Sequence, residues 1–296
     1  MGLVFSLCFR DSIEPSFVKY SLAKSTHARI YCTESKRKKH KKVIKDFSYA
    51  IEYYNPYYST IIHFLMDNKS PYVINIYGMK YNMKKTVYAN NFMKTPMPSL
   101  MIEMEYLPYD LFDAHYNNRF HHENKEKIAR SMIHAVNFLH QNNIIHGDIK
   151  LENMLLTKTQ DGVKLIDFES SIYNTPPDIL KTLTLKSTIE YCSPEFIFKK
   201  KLGFHNDIWA LGLSLFLLFE SRDCIDHIDM IREEKTPHYY FVKTPPLYID
   251  IIKKCLIYEY NHRITIDIIM SLLKNDEQTN FIPESKQRTT NRKTTQ

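Results

Sequence analysis

Four polar side chains lie at spacings that suit phosphoryl transfer, in the stretches HGDIKLENM at residues 146–154 and KLIDFES at residues 164–170. They are Asp148, Lys150, Asn153 and Asp167. An apolar run lies beside each stretch and predicts a strand, so Asn153 and Asp167 would meet where two strands end side by side. Their oxygens would hold Mg²⁺, while Asp148 would face an incoming hydroxyl and Lys150 the transferring phosphoryl group.

The order and spacing of these residues resemble H-R-D-x-K-x-x-N and D-F-G, the catalytic and metal-binding loops of the eukaryotic protein kinase superfamily. The resemblance implies an α+β, two-lobed protein kinase fold. Residues 17–104 would form a small antiparallel β-sheet lobe with one main helix, and residues 111–274 a larger, mostly helical lobe. Residues 105–110 would be the hinge, and ATP with Mg²⁺ or Mn²⁺ would bind between the lobes.

A second stretch, LAKSTHARIY at residues 22–31, resembles the kinase phosphate loop L-G-x-G-x-F-G-x-V-Y. Ala23, Ser25 and Ala28 stand where the family has glycines, which let backbone amides approach phosphate closely. Ala and Ser are the smallest substitutes, so the hairpin can form but the cradle is expected to be looser. Lys45 follows Ala28 at the family spacing, and the resemblance implies that it binds the α- and β-phosphates.

The same resemblance implies a full set of nucleotide contacts. The implied ATP-binding residues are Leu22, Ala23, Lys24, Ser25, Ala28, Ile30, Val43, Lys45, Glu105, Leu107, Asp110 and Leu155. Glu105, Tyr106 and Leu107 resemble the hinge whose backbone binds adenine. Met104 would precede it as the gatekeeper, and Asp110 would reach the ribose.

One expected acid is missing. Asn as an N-cap and Pro at the first position predict a helix that runs from Asn55 to Asn68. In the family this helix carries a glutamate that pairs with the strand lysine, but Ile61 stands at that position. Either Lys45 pairs with another acid, such as Asp167 or Glu169, or the helix is displaced.

Two further departures lie in the catalytic stretches. Gly147 replaces an Arg that pairs with a phosphate on the activation segment in many kinases, so activity is not expected to depend on that switch. Glu169 replaces the glycine of D-F-G, which removes a flexible position but keeps Asp167 as a metal ligand.

STIEYCSPE at residues 187–195 resembles G-T-x-x-Y-x-A-P-E, the end of a kinase activation segment. Thr188 matches the threonine that hydrogen-bonds the catalytic aspartate and lysine in serine/threonine kinases, and this favours Ser and Thr as substrates. The resemblance also implies a buried ion pair between Glu195 and Arg263. Asp207 would hold the backbone of the catalytic loop.

Composition bounds the remaining possibilities. A chain of 296 residues with 44% hydrophobic content can bury a sizeable core, and no apolar run approaches the roughly 18 residues of a membrane span. The five cysteines show no C-x-x-C spacing, which indicates a reducing compartment. The net charge of +7 is too mild to predict a nucleic-acid partner. A cytoplasmic monomer without a cleaved signal peptide is expected.

The two ends carry weaker signals. Gly2 and Ser6 match the myristoylation pattern and Cys8 is a candidate for palmitoylation, so membrane association through the N-terminus is one alternative to ordinary packing. The run KRKKHKK at residues 36–42 is expected to be a solvated turn, with a nuclear or lipid-binding signal as the alternative. The polar residues 275–296 are expected to be disordered. Scarce Gly beside abundant Tyr, Lys, Ile and Asn resembles kinases of large cytoplasmic DNA viruses.

Three activities remain open at this point. The first is transfer of the γ-phosphoryl of ATP to Ser or Thr of proteins. The second is a pseudokinase, in which the same fold acts as a binding scaffold. The third, a kinase of lipids or small molecules, is disfavoured because residues 187–195 resemble a peptide-docking platform.

Overall fold

The computed structural model describes residues 17–24, 28–35, 41–87, 97–174, 188–221 and 239–280. Contacts between Cα atoms divide the chain into two units. The first unit contains Met1–Ala50 and Ile76–Tyr106, and the second contains Ile51–Asn75 and Leu107–Gln296.

An antiparallel sheet forms the first unit. Its strands are β1 (Phe17–Lys24), β2 (Ala28–Ser35), β3 (Lys41–Phe47), β4 (Ile76–Val87) and β5 (Met97–Glu105). They lie in the order β1-β2-β3-β5-β4. Val43, Lys45 and Phe47 alternate along β3 and are all buried, as expected where one face of a strand packs on a core.

Helices dominate the second unit. They are α1 (Ile51–Tyr54), α2 (Tyr58–Asp67), α3 (Leu111–Tyr116), α4 (Lys125–Gln141), α5 (Pro194–Lys199), α6 (Phe204–Glu220), α7 (Pro246–Cys255) and α8 (Ile266–Asn280). Two short antiparallel pairs accompany them. They join β6 (Ile144–Ile145) to β9 (Ile172–Tyr173) and β7 (Met154–Leu156) to β8 (Val163–Leu165). The predicted α+β fold class is confirmed.

Two buried helices organise the second unit's core. The apolar stripe predicted on α4 is fully buried; it comprises Ile128, Met132, Ile133, Val136 and Leu139. Helix α6 is buried around most of its circumference, and Gly212 lets it approach α7, because a Cβ there would lie 2.5 Å from Cys255 Cβ. In the described part of the chain, neither α6 nor any other helix is long and apolar enough to cross a membrane.

The predicted helix start at Asn55 and Pro56 is wrong, because α2 begins at Tyr58. Asn55 Oδ1 accepts a hydrogen bond from Tyr57 N at 3.0 Å, while Asn55 Nδ2 donates to the carbonyls of Glu169 at 2.9 Å and Ser171 at 2.8 Å. The side chain therefore ties the turn before α2 to a segment over 110 residues away, and the helix starts only after that turn.

Residues 51–75 belong to the second unit. Leu165 N donates to Tyr72 O at 2.9 Å, and Ile74 N donates to Leu165 O at 3.0 Å. These bonds join the segment after α2 to β8, which leads directly to Asp167. The helix region and the proposed metal-binding loop thus form one hydrogen-bonded unit.

Helix α8 continues to Asn280, so residues 275–280, which were expected to be disordered, are helical. Arg130 on α4 binds Asp276 Oδ2 at 2.7 Å and Glu277 Oε1 at 3.0 Å. These ion pairs stabilise polar turns that an apolar pattern cannot predict. Residues 281–296 lie outside the described residues, as do Gly2, Ser6 and Cys8 and the basic residues 36–40.

Candidate active site

The carboxylate of Asp148 collects four hydrogen-bond donors. Oδ2 lies 2.9 Å from both Lys150 Nζ and Asn153 Nδ2. Oδ1 accepts from the backbone N of Thr188 at 3.1 Å and from its Oγ1 at 2.8 Å. These bonds hold the carboxylate of Asp148, whose side chain is only 15% exposed, in one orientation.

Thr188 connects Asp148 to Lys150. Its hydroxyl donates to Asp148, and Lys150 Nζ donates to the same hydroxyl oxygen at 2.5 Å. A hydroxyl has one proton to give and lone pairs to accept with, so both bonds form together. The hydrogen-bond partners predicted for Thr188 are confirmed, and the segment beginning at residue 188 is fixed against the catalytic loop.

The backbone brings Asn153 and Asp167 to adjacent positions. Strands β7 and β8 pair Met154 with Leu165, and Ile166 N donates to Asn153 O at 2.9 Å. The amide nitrogen of Asn153 donates to Asp148 O at 2.8 Å and to its carboxylate. Those bonds turn the amide nitrogen inward and fix the orientation of the amide oxygen.

This pair fits the Mg²⁺ ion that the kinase resemblance implies. Mg²⁺ prefers oxygen ligands and is usually held by one or two carboxylates together with waters and substrate phosphates. Asp167 supplies a carboxylate and Asn153 an amide oxygen. Asp167 has φ of 66° and ψ of 75°, a left-handed conformation that costs a non-glycine residue about 1–3 kcal/mol and is typical of functional sites.

Asp207 holds the start of the catalytic loop, which confirms the prediction for this residue. It is fully buried, and its carboxylate accepts from the backbone N of His146 at 2.8 Å and of Gly147 at 2.9 Å. His140 Nε2 lies 3.0 Å away. Burial acts to raise the pKa of Asp207, but the hydrogen bond and charge of His140, with His146 and Gly147, hold that pKa below its ordinary value.

The predicted ion pair of Glu195 and Arg263 is confirmed. Arg263 Nη1 lies 2.7 Å from Glu195 Oε1, and Nη2 lies 3.0 Å from Oε2. The remaining guanidinium donors reach the carbonyls of His205, Ile257 and Tyr258. Both side chains are at most 2% exposed, so the pair ties α5, next to the Thr188 segment, to the loop before α8.

Gly147 adopts a conformation that explains the absence of a side chain. Its φ is +81°, and a Cβ would lie 2.7 Å from Ser170 O. The sequence showed only that an Arg was missing and could not show that the backbone here closes on residue 170. In this chain the contact leaves no room for a side chain in the observed conformation.

We expect Gly147→Ala to lower the free energy of unfolding by roughly 2 kcal/mol, because the left-handed conformation and the close carbonyl both penalise a Cβ. Urea denaturation would measure it. Gly78→Ala is the matched control, since a Cβ at Gly78 meets nothing within 4 Å. Equal stability of the two variants would contradict the prediction.

Tyr58, which sequence reasoning missed, is fully buried at the start of α2. Burial, followed by the charges of Asp167, Glu169 and Glu52, raises its pKa well above the ordinary value. Ile61, at the position where the resemblance implies a glutamate, is 0% exposed. The acids that act on Tyr58 therefore come from α1 and from the loop after β8. Nothing in the local sequence around Tyr58 predicts this grouping.

The sheet of the first unit carries Lys45, the lysine proposed to bind phosphate. Lys45 on β3 is paired with Ile30 of β2 on one side and with Ile102 of β5 on the other. Lys45 is 8% exposed, with its Nζ 5.4 Å from the centroid of the Phe47 ring. Val43 is buried opposite Met104. Lys45 is therefore buried within the sheet, with Val43 and Phe47 beside it on the same face of β3.

The other proposed nucleotide contacts are distributed over both units. Leu22, Ala23 and Lys24 lie on β1, Ala28 begins β2, and Ser25 lies outside the described residues. Glu105 ends β5. In the second unit Leu107 is buried, and an isolated bridge joins Asp110 to Leu155. The Asp110 carboxylate accepts from Asp113 N at 2.8 Å, so it caps α3, a role that was not predicted from the sequence.

His205, which lies beside the buried Glu195, makes the stability of the fold depend on pH. Burial, assisted by Arg263 and Lys201, lowers its pKa to about 4 against the opposing charge of Glu195. Above about pH 6.5 the histidine is neutral in both the folded and the unfolded chain. Between pH 6.5 and pH 4 the histidine binds a proton in the unfolded chain but not in the folded one. Stability is therefore lost as the pH falls through this window.

Between pH 7 and pH 5 we expect His205 to reduce the free energy of unfolding by about 2 kcal/mol. Urea denaturation at both pH values, comparing wild type with His205→Asn, would measure this loss. The control is His262→Asn, because His262 is exposed. An unchanged pH dependence in His205→Asn would show that the assignment is wrong.

Comparison with known proteins identifies the family. The family model described as "Protein kinase domain" matches residues 28–275. The chain therefore belongs to the protein kinase family, as its catalytic stretches indicated.

Individual relatives are distant. A probable cell division protein kinase of Encephalitozoon cuniculi is 31% identical over 52% of this chain and 63% of its own length. An Aurora kinase of Debaryomyces hansenii is 32% identical over 46% of this chain and 34% of its own. The serine/threonine-protein kinase ppk25 of Schizosaccharomyces pombe is 34% identical over 36% of this chain and 26% of its own length. The matches thus span less than two thirds of each relative, and these relatives give no support to the viral origin that the composition suggested.

Proposed function

We propose that this protein is an ATP-dependent serine/threonine protein kinase. The observation that carries the proposal is the network in which Asp148 is oriented by Lys150, Asn153 and Thr188. All the members are polar, and each has a defined use in phosphoryl transfer, where catalysis consists mainly of positioning and charge neutralisation.

Each residue has a distinct role in this proposal. Asp148 orients the acceptor hydroxyl and accepts its proton, and Lys150 neutralises charge on the transferring phosphoryl group. Asn153 and Asp167 would hold Mg²⁺, which would supply positive charge to neutralise the phosphates. Lys45 binds the α- and β-phosphates. Thr188 positions Asp148 and Lys150 through its hydroxyl.

Two observations support Ser and Thr as acceptors. Thr188 makes the bonds to Asp148 and Lys150 that the serine/threonine class of the family implies. Among the relatives, ppk25 of Schizosaccharomyces pombe is named a serine/threonine-protein kinase. Protein substrates are therefore proposed here, in preference to lipids or small molecules.

A binding scaffold is the second candidate function, and specific residues favour it. Ile61 is fully buried where the family has a glutamate, so α2 offers no acid there. Glu169 replaces the glycine of D-F-G, and Ala23, Ser25 and Ala28 replace the loop glycines. Such a scaffold would bind nucleotide, or a partner protein, without turnover.

Nucleotide binding measured beside turnover separates the two candidates. Calorimetry with ATP, with and without Mg²⁺, would show binding, and release or transfer of labelled γ-phosphate would show turnover. The kinase proposal expects both, with turnover lost in Asp167→Asn and Lys45→Met and retained in Asp250→Asn, a control on the surface of α7. Mg²⁺-dependent binding without turnover in the wild type would favour the scaffold and contradict the kinase.

A further inference from the structure

Three consecutive exposed lysines follow the segment that carries Thr188. Lys199, Lys200 and Lys201 occupy the end of α5 and the turn after it. A run of like charges on a surface is usually only a solvated face. Lys200 differs from its neighbours in both its backbone conformation and its position.

Lys200 is the C-cap of α5, with φ of 51° and ψ of 29°. This left-handed conformation is the one for which helix ends favour glycine, since a Cβ makes it unfavourable. A lysine there forgoes the stability that glycine would give. Glycine at this position would therefore remove the Lys200 side chain without straining the backbone.

Lys200 lies over a ring that helps to line the cavity containing Asp148 and Thr188. Its Nζ lies 5.4 Å from the centroid of the Phe196 ring. Phe196, Cys192, Thr188 and Asp148 line one narrow cavity of about 20 Å³. Cys192 Sγ donates to Thr188 O at 3.4 Å, so the ring beneath Lys200 belongs to the wall of the cavity that Thr188 and Asp148 also line.

Electrostatics agree with this placement. Burial and then the charge of Asp148 raise the pKa of the Cys192 thiol to about 12, while Lys200 acts to lower it. The Cys192 thiol is thus close enough to both Asp148 and Lys200 for each charge to act on its pKa. Glu190, which is exposed on the same segment, acts on Cys192 more weakly than Lys200.

We infer that Lys200 selects protein substrates that carry an acidic residue a few positions from the phosphorylated Ser or Thr. This inference rests on the proposed kinase function and adds a substrate class to it. Lys199 and Lys201 increase the positive potential around Lys200 and so strengthen the attraction for an acidic segment. Lys201 is held near Tyr260, with Nζ 4.0 Å from the ring centroid, whereas the charge of Lys200 acts on the Cys192 thiol in the cavity wall, so Lys200 is taken as the determinant.

A positional peptide library tests the inference across all flanking positions at once. Each peptide has one Ser or Thr, one fixed flanking residue, and mixed residues elsewhere. For the wild type, at one or more flanking positions, we expect kcat/KM to be about two- to fivefold higher with Glu than with Gln, the range typical of a single exposed ion pair. At those positions Lys200→Glu is expected to favour Lys over Glu.

Two further variants exclude indirect effects. Lys200→Gly removes the side chain at a backbone position that glycine favours, so its Tm should be no lower than that of the wild type while the preference for Glu disappears. Lys274→Glu, an equal change of charge at an exposed site on α8, should keep the preference.

The outcomes distinguish the inference from the function on which it rests. Transfer to peptides with no preference for Glu at any position, or a preference that survives in Lys200→Gly, would overturn the inference and leave the kinase function standing. Absence of transfer to every peptide would contradict the kinase function and the inference together.

Discussion

Asp148→Asn is expected to lower kcat for phosphoryl transfer by about 10²- to 10⁴-fold, the range for loss of a positioned general base. An amide cannot accept the proton of an acceptor hydroxyl. It also presents an NH₂ group to an environment of donors, because Lys150, Asn153 and Thr188 all donate to this carboxylate. Steady-state kinetics at saturating ATP would measure the loss.

Two controls show whether the loss of kcat arises in the catalytic step or in ATP binding. Because Asp148 faces the acceptor in this account, Asp148→Asn should bind ATP with Mg²⁺ about as tightly as the wild type, which calorimetry would measure. Asp250→Asn makes the same chemical change at an acid on α7 whose side chain is 48% exposed, and it should leave kcat unchanged. A kcat for Asp148→Asn within about threefold of the wild type would contradict the role given to Asp148.

Arg263→Met is expected to lower the free energy of unfolding by about 3–5 kcal/mol, the usual result of removing one partner of a buried ion pair. Glu195 would remain buried with an uncompensated charge. The carbonyls of Ile257 and Tyr258 would lose their donor as well. Urea denaturation of the full chain would measure the change.

The matched control is Lys254→Met. Lys254 pairs with Asp250 one helical turn away on the surface, at 2.7 Å, and such pairs contribute about 0.3–0.5 kcal/mol. Adding Glu195→Gln to Arg263→Met should recover part of the loss, because the buried charge is then removed. Equal effects of Arg263→Met and Lys254→Met would contradict the importance given to the buried pair.

The catalytic loop was predictable because its members are close in sequence. Asp148, Lys150 and Asn153 lie within six residues, and the apolar runs beside them predict the strands that hold the loop. The pairing of Glu195 with Arg263 spans 68 residues. Only the family resemblance implied it, since neither charge has a local signal for its partner.

Other features depend on contacts between distant segments, so local patterns could not predict them. Asn55 bonds to the carbonyls of Glu169 and Ser171, which delays the start of α2. Tyr58 lies among acids from separate elements. Arg130 extends α8 through ion pairs across to another helix. In each case a polar side chain interacts with a group more than 100 residues away, or with several such groups together.

One measurement tests the central claim most directly: phosphoamino-acid analysis after incubation with γ-labelled ATP, Mg²⁺ and a mixed protein substrate. The wild type and Asp148→Asn would be assayed side by side, with circular dichroism to show that both are folded. The account predicts label on Ser or Thr that depends on Mg²⁺ and is lost in Asp148→Asn. Equal background labelling by two folded proteins would contradict it.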